Sequence, residues 1–292
     1  MLPTVPAAVS PERGDAPPEW SAGLSFDDAQ RIARVTRPAH QPIVDVLLAG
    51  AQLAPGMQVL DLACGQGVPA LDEARQVGAS GSVVGIDLSR PAVDLARRFS
   101  EAEGIANVTF REGDAEGLPF PDGSFDRVTS RFGAMFFPRL DRTAKEVTRV
   151  LRPGGRVAWM VWGPIEEQDY FDATALVALR RSGLAGLPAE AAQPFRLASG
   201  TEITSALEGA GLRGVLVGRH RVRQVWSTSP GRLARGFWES PPPPFVPLLR
   251  RISGPEQERA VVESEERFRR HLVDGAVRLS ANVVLVTGDK PP

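Results

Sequence analysis

Asp61, Gly65, Gly67, Asp87 and Asp114 are the residues of this chain whose types and spacing could do chemistry. The first three make D-x-x-x-G-x-G within VLDLACGQG, and Asp87 closes SVVGID twenty residues after Gly67. A lone G-x-G marks only a tight turn, and Asp61 on its own also reads as an acceptor for loop amides. The spacing says more. Glycine lets a backbone approach a ligand with no Cβ in the way. A helix opening after Gly67 offers free N–H groups and a positive dipole end to an anion. A carboxylate at the end of the next strand can accept from both hydroxyls of a ribose. Together they make a cradle for a nucleoside-containing cofactor. Nicotinamide dinucleotides and S-adenosylmethionine both carry such a ribose. The dinucleotide fingerprint G-x-G-x-x-G has Ala70 in its third place here, which the variant form allows. The glycines alone leave both cofactors open.

These residues need elements to position them. Val59–Ala63 is a short apolar run after the turn signal Pro55-Gly56 and reads as a buried strand. A helix follows from about Pro69 to Val77. Further strands are predicted over 82–87, 107–111, 125–130 and 156–162. Ser89 is a good N-cap, with Pro91 in the first turn of a helix to about Glu103. Another helix covers 139–151, and Pro153-Gly154-Gly155 makes a tight turn into the fifth strand. Strands alternating with helices predict an α/β fold with a doubly wound, Rossmann-like sheet. It is expected to be mostly parallel, with an antiparallel last strand. Ligands bind such sheets outside the carboxyl ends of the strands. The Asp61 loop, Asp87, Asp114 and the Ser130-Arg131 pair should therefore converge on one edge.

Around this core, over 55–163, the chain divides by composition. Residues 1–25 are rich in Pro, Ala and charge and read as a flexible leader. Residues 26–54 read as a helical pair, interrupted at Pro38 and reopened at Pro42, forming scaffold or a lid. A helical insertion is expected over 164–212. Residues 213–292 hold the last strands, Gly214–Trp226 and Val277–Thr287, with a second helical insertion at 228–276.

The net charge of −1 gives no basic field, so a nucleic acid is not expected as partner. One cysteine, Cys64, forbids an intrachain disulfide, and three scattered histidines suggest no metal site. No run of about 18 apolar residues predicts a membrane span. The N-terminus lacks the pattern of a secretory signal. A cytoplasmic protein is the expectation, and a homodimer is possible.

Several runs in sequence order resemble the class I S-adenosylmethionine-dependent methyltransferases, in the branch of quinone-biosynthesis and small-molecule enzymes. VLDLACGQG is similar to that family's first motif and GIDLS to its second. GDAEGLPFPDGSFD resembles the third-strand loop and fourth strand, and EVTRVLRPGGRV the helix and turn before the fifth strand. The resemblance covers about Met57 to Gly163. It implies S-adenosylmethionine as cofactor and S-adenosylhomocysteine as product. It implies that Ala63, Cys64, Gly65 and Gly67 line the methionine half and ribose, and that Asp61 faces the cofactor's amino group. Asp87 would bind both ribose hydroxyls and Leu88 would pack on adenine. Asp114 and the Ala115 N–H would meet the adenine edge, with Ser130 and Arg131 beside the methionine portion and the substrate entrance. Cys64 reads as a small loop residue rather than a nucleophile, because no nearby basic group is evident. Asp72 and Glu73 read as a solvated helix face.

Methyl transfer from a sulfonium needs a protein base only where the acceptor must lose a proton. His40 and Tyr170 are the candidates, each with a plain structural reading beside it. His220 reads as an outward strand residue and His271 as solvated. Met135, Phe136, Trp162 and Trp238 are candidate substrate contacts, and an aromatic, basic-poor lining suits a hydrophobic or aromatic small molecule. Arg219, Arg221 and Arg223 alternate along one strand face and read as solvated. Three other readings stay open: a protein of this fold catalysing a non-methylating reaction such as cyclisation, a non-catalytic cofactor sensor, and a nicotinamide-dependent oxidoreductase.

Overall fold

The computed structural model describes residues 23–292. The leader expected over 1–25 lies almost wholly outside them. Eight strands form one sheet: β1 (Gln58–Leu62), β2 (Ser82–Asp87), β3 (Val108–Glu112), β4 (Phe125–Arg131), β5 (Leu151–Trp162), β6 (Arg213–Trp226), β7 (Leu272–Val273) and β8 (Ala276–Asp289). The order is β3-β2-β1-β4-β5-β8-β6, with β7 folded back on β8. The pairs from β3 to β5 are parallel, while β8 runs antiparallel between β5 and β6. This is the expected doubly wound α/β sheet with an antiparallel end.

Alternation along the strands builds two cores. Val59 of β1, Ala158 and Met160 of β5, and Val283 and Leu285 of β8 face one side. There they meet α1 (Phe26–Ala51), α2 (Ala70–Val77) and α3 (Arg90–Ala102). Leu60 and Leu62, Val157 and Trp159, and Val284 and Val286 face the other side, under α4 (Leu140–Val150) and α8 (Thr201–Gly209). The period of two assigns Asp61 to the first side, beneath α1–α3.

The segment around Pro38 and Pro42 is one helix, not the expected pair. Proline removes one backbone donor and normally ends a helix. Here Ala39, Ile43, Val44, Leu47 and Ala51 are buried against the sheet along the same helix, and that packing carries α1 through both prolines. The fifth strand also starts earlier than expected, at Leu151, and the Pro153-Gly154-Gly155 run lies inside it beside a register shift against β4.

The two insertions fold together. Helices α5–α7 (Asp169–Asp172, Ala175–Ser182, Ala189–Ala192) meet α9–α11 (Pro230–Glu239, Val246–Leu249, Gly254–Arg269) around Phe171, Phe237, Phe245 and Leu248. Arg181 reaches Glu263 at 2.7 Å and Arg267 reaches Asp172 at 2.7 Å across this cap. A further cluster of Ala39, Trp226, Phe268 and Leu279 ties the cap to α1 and the sheet. No helix among the described residues is long and apolar enough to cross a membrane.

Candidate functional site: the carboxyl edge of the sheet

β1 delivers its chain to a loop of left-handed residues. Ala63 has φ 54°, Gly65 φ 52° and Gly67 φ 94°. A Cβ on Gly67 would stand 3.2 Å from Phe110 and 3.3 Å from Leu71, so glycine lets α2 start close against β3. Gly65 is different: no atom lies within 4 Å of where its Cβ would be. Its backbone is bare on the open side of the loop, as a close-approaching ligand requires.

Asp87 ends β2 and ties two neighbours down. Its Oδ2 accepts from the Gly65 N–H at 2.9 Å and its Oδ1 from the Ser89 N–H at 2.8 Å. Ser89 in turn caps α3, accepting from Ala92 N–H. Burial pushes the Asp87 carboxyl up, and the Ser89, Gly65 and Leu88 amides oppose that. The β3 end lies alongside, with Gly113 N–H donating to the Asp87 carbonyl at 3.0 Å. There Asp114 accepts from the Glu116 N–H at 2.9 Å, and Ala115 is buried. Leu88, next to Asp87, is half-buried.

Asp61 is fully buried, and neither carboxylate oxygen has a hydrogen-bond partner among the described residues. Burial raises its carboxyl well above the ordinary range, Glu73 adds to this, and Arg131 opposes it. An orphaned buried carboxylate is costly unless a cation or donors reach it. An α-ammonium group would supply both. The donor set therefore fits the amino-acid end of S-adenosylmethionine, with bare Gly65 and the strand-end Asp87 in the ribose position. Cys64 is buried and its thiol is pushed up by burial and by Asp61 and Asp87, which makes it an inert loop residue.

Known proteins divide in the same way along the chain. The methyltransferase-domain family matches residues 59–155. Nocamycin O-methyltransferase of Saccharothrix syringae is 30% identical over 279 residues, covering 86% of this chain and 92% of its own. The chain belongs to the S-adenosylmethionine-dependent methyltransferases. The demethylmenaquinone methyltransferase of Lactococcus lactis is 42% identical, but over 102 residues, 35% of this chain and 40% of its own. The structure of the [4+2]-cyclase SpnF has the same fold at 21% identity, with a TM-score of 0.54 over 85% of this chain and 80% of that one.

An aromatic series runs from the end of β4 into the cap. After β4, Phe132 takes φ 61° and stacks on Trp162 at the end of β5, with centroids 3.9 Å apart. Trp162 meets Phe171 edge-on at 5.7 Å, Phe171 meets Tyr170, and Tyr170 stacks on Trp226 at 5.8 Å. His40 closes the series with its ring edge-on to Trp226 at 5.3 Å. The turn Ala134–Phe136 holds Met135, which is buried, and Phe136, which is half-buried. Arg196 from the cap clamps this turn, donating to the carbonyls of Met135 at 2.7 Å and Phe137 at 2.8 Å.

The remaining candidates fall in varied places. Ser130 is fully buried and its hydroxyl donates to the Leu62 carbonyl at 2.9 Å, locking β4 to β1. Arg131 donates through Nη2 to the Val68 carbonyl at 3.2 Å, between Asp61 and His40 in its electrostatic reach. Trp238 is in the cap core, with its indole N–H on Ser264 at 3.0 Å. The His40 Nδ1 sits 2.8 Å from the Thr36 carbonyl, and burial with the Arg131 charge pulls its pKa down to about 4. Burial pushes Tyr170 up to about 12. At neutral pH both are uncharged, His40 a weak base and Tyr170 a phenol that keeps its proton.

Glu73 is not on a solvated face. It is fully buried under the Asp61 loop, and burial raises it to about 7 against the pull of the Thr129 hydroxyl. The spacing of Ala70, Glu73, Ala74 and Val77 puts it within the apolar stripe of α2, a signal present in the sequence. Phe132 and Trp226 belong to the aromatics that the sequence already offers as pocket lining or core, while Arg196 does not. Arg196 gives no local signal, because its partners lie about sixty positions earlier in the chain.

Proposed function

We propose that this methyltransferase transfers a methyl group from S-adenosylmethionine to a hydrophobic or aromatic small molecule, leaving S-adenosylhomocysteine. The observation that carries the reading is the buried Asp61 carboxylate, unpartnered on both oxygens, beside the bare Gly65 backbone and Asp87. Asp61 holds the ammonium, Asp87 the ribose hydroxyls, and Leu88, Asp114 and Ala115 the adenine. Ala63, Cys64, Gly65, Gly67 and Ser130 shape the loop, and Arg131 stands at its acceptor side. The aromatic series from Phe132 to Trp226 supports an apolar or aromatic acceptor. Likeness to nocamycin O-methyltransferase across the cap as well as the core supports a natural product and an oxygen nucleophile. We place its action in the cytoplasm.

The bound cofactor supplies an electrophilic methyl group on a good leaving group. What remains for the protein is orientation and exclusion of water, and well-oriented reactions gain about 7–11 kcal/mol from positioning. The Phe132–Trp162 stack and the Arg196-clamped turn give rigid walls for this. Neither His40 nor Tyr170 has an ionisation tuned to neutral pH, so an acceptor oxygen enters already ionised or gives its proton to solvent, and positioning carries the methyl transfer.

Calorimetric titration with S-adenosylmethionine and S-adenosylhomocysteine tests the cofactor, and mass spectrometry of candidate acceptors tests the transfer. Both ligands are expected to bind. A folded sample that binds neither and binds NADH would overturn the reading. A methylated product eliminates the cyclase and sensor alternatives.

A further inference from the structure

The cofactor loop sits on a second buried acid. Asp61 on β1 and Glu73 on α2 both have zero exposure, and none of their four oxygens has a partner of good hydrogen-bond geometry among the described residues, with only the Ala70 amide drawing on Asp61 and the Thr129 hydroxyl on Glu73. The two sit in each other's electrostatic field. Two carboxylates buried together cannot both stay ionised without compensating charge. The groups around them come from every packed element. β4 brings Arg131 and the Thr129 hydroxyl, and β2 brings Asp87. α2 brings Asp72, while α1 brings Arg37 and His40 near Arg131. Most of these are engaged elsewhere. Asp87 is held by backbone amides, Asp72 pairs with Arg75 at 3.2 Å, and Arg37 bonds Glu103. His40 is neutral. Among the described residues, Arg131 is the cation that acts on the Asp61 carboxyl, while Arg37, whose Nη2 is buried without a partner, stands behind it.

We propose that Glu73 is a positioning residue for the cofactor: it shares one proton with Asp61 in the free enzyme, and the cofactor's ammonium displaces that proton to solvent. The inference rests on the cofactor reading above. The charge count at the two acids closes in both states. In the free enzyme, one carboxylate and Arg131 sum to zero. In the complex, two carboxylates face Arg131 and the ammonium and again sum to zero, while the ligand's own α-carboxylate is a further negative charge that other donors must meet. A low-dielectric interior favours neutrality at the acids in each case. Glu73 thus lets the ammonium enter beside Asp61 without leaving a net charge on the pair, and it makes occupancy depend on pH. Burial raises Glu73 to about 7.

S-adenosylhomocysteine is the probe, since it carries the ammonium without the sulfonium. With Glu73 ionising at about 7, its affinity is expected to be about fivefold tighter at pH 7 than at pH 6. Titration in buffers of different ionisation heat should show release of nearly one proton at pH 6 and about half a proton at pH 7. Glu73→Gln should bind with no proton release, and Asp61→Asn should lose both the release and most of the affinity. Binding without proton release in the wild type, or release that persists in E73Q, overturns the proposal. A thermal-melt arm needs no ligand. The raised carboxyl stabilises the fold below its unfolded pKa and that stability is lost as pH rises through about 7, so wild type should lose melting temperature from pH 6 to 8 relative to E73Q. Equal pH dependence in the two proteins overturns the shared proton even if no ligand binds. Absence of binding with the melt difference intact instead sinks the cofactor reading.

Discussion

Asp87→Ala probes both jobs that the strand-end carboxylate performs. The structure gives it two charge-assisted bonds, to Gly65 N–H at 2.9 Å and Ser89 N–H at 2.8 Å. Such bonds contribute about 1.5 kcal/mol each at the lower end, so about 3 kcal/mol is lost in gross. Asp87 is a half-buried group whose ionised form is disfavoured by its partial burial. Removing it relieves that desolvation, and a net loss of about 2 kcal/mol is expected. For a chain of 292 residues that lowers Tm by roughly 3 °C. Loss of the ribose contacts should also weaken S-adenosylhomocysteine binding by more than tenfold, above about 1.4 kcal/mol.

A loosened loop would weaken binding even if Asp87 never touched the ribose. A cycle with the 2′-deoxy analogue of the ligand separates the two. Wild type should bind the analogue more weakly than the parent, and D87A should bind both alike. If D87A still discriminates between the ligands, the ribose assignment is wrong and Asp87 is a loop tether. If D87A also melts and binds like wild type, the reasoning fails at its first step.

Other perturbations test the acceptor side. In Gly133→Ala the new Cβ would lie 2.5 Å from both the Ala63 Cβ and the Ser130 Oγ, so a loss of about 1–3 kcal/mol is expected in denaturant melts. Arg196→Ala removes the cap's clamp on the Met135 and Phe137 carbonyls; KM for the acceptor should rise severalfold while cofactor Kd stays within twofold. His40, held down to about 4, is neutral when folded and charges more readily when unfolded. Its contribution is present above about pH 6.5 and lost as pH falls toward 4, so His40→Gln should melt with a shallower acid dependence than wild type. Between pH 6 and 8 the kcat profile should be the same for both, and a limb near 6.5 present only in wild type would restore His40 as a base.

How much of this was legible in the sequence depends on how far apart the cooperating residues lie. The cofactor half is local. Asp61, Gly65 and Gly67 share one turn, and the rule that ligands sit at strand ends brings Asp87 and Asp114 to it. The errors there were also local and had readable causes. Glu73 looked solvated because it is charged, although its spacing with Ala70, Ala74 and Val77 already placed it inside. The prolines of α1 looked like breaks because helix propensity counts a missing donor. It does not count the burial of Ile43, Val44 and Leu47 on the same helix.

The half proposed for the acceptor joins residues that no local pattern links. Phe132, Trp162, Tyr170, Trp226 and His40 form one aromatic series drawn from β4, β5, the cap, β6 and α1. Nothing in the runs around them differs from those of core aromatics, and Trp238, read alongside Trp162, is in fact sealed in the cap. The Lactococcus likeness covers about a third of the chain. The Saccharothrix likeness extends over the cap. Cofactor chemistry is fixed by a short motif that many enzymes share, while the acceptor is chosen by packing between distant segments. The link between the halves is Arg131, which follows the Ser130 lock at the end of β4. Among the described residues it is the cation that acts on both Asp61 and His40. A charge change at either residue therefore reaches the other through this guanidinium, and the paired pH experiments on Glu73 and His40 read it from both directions.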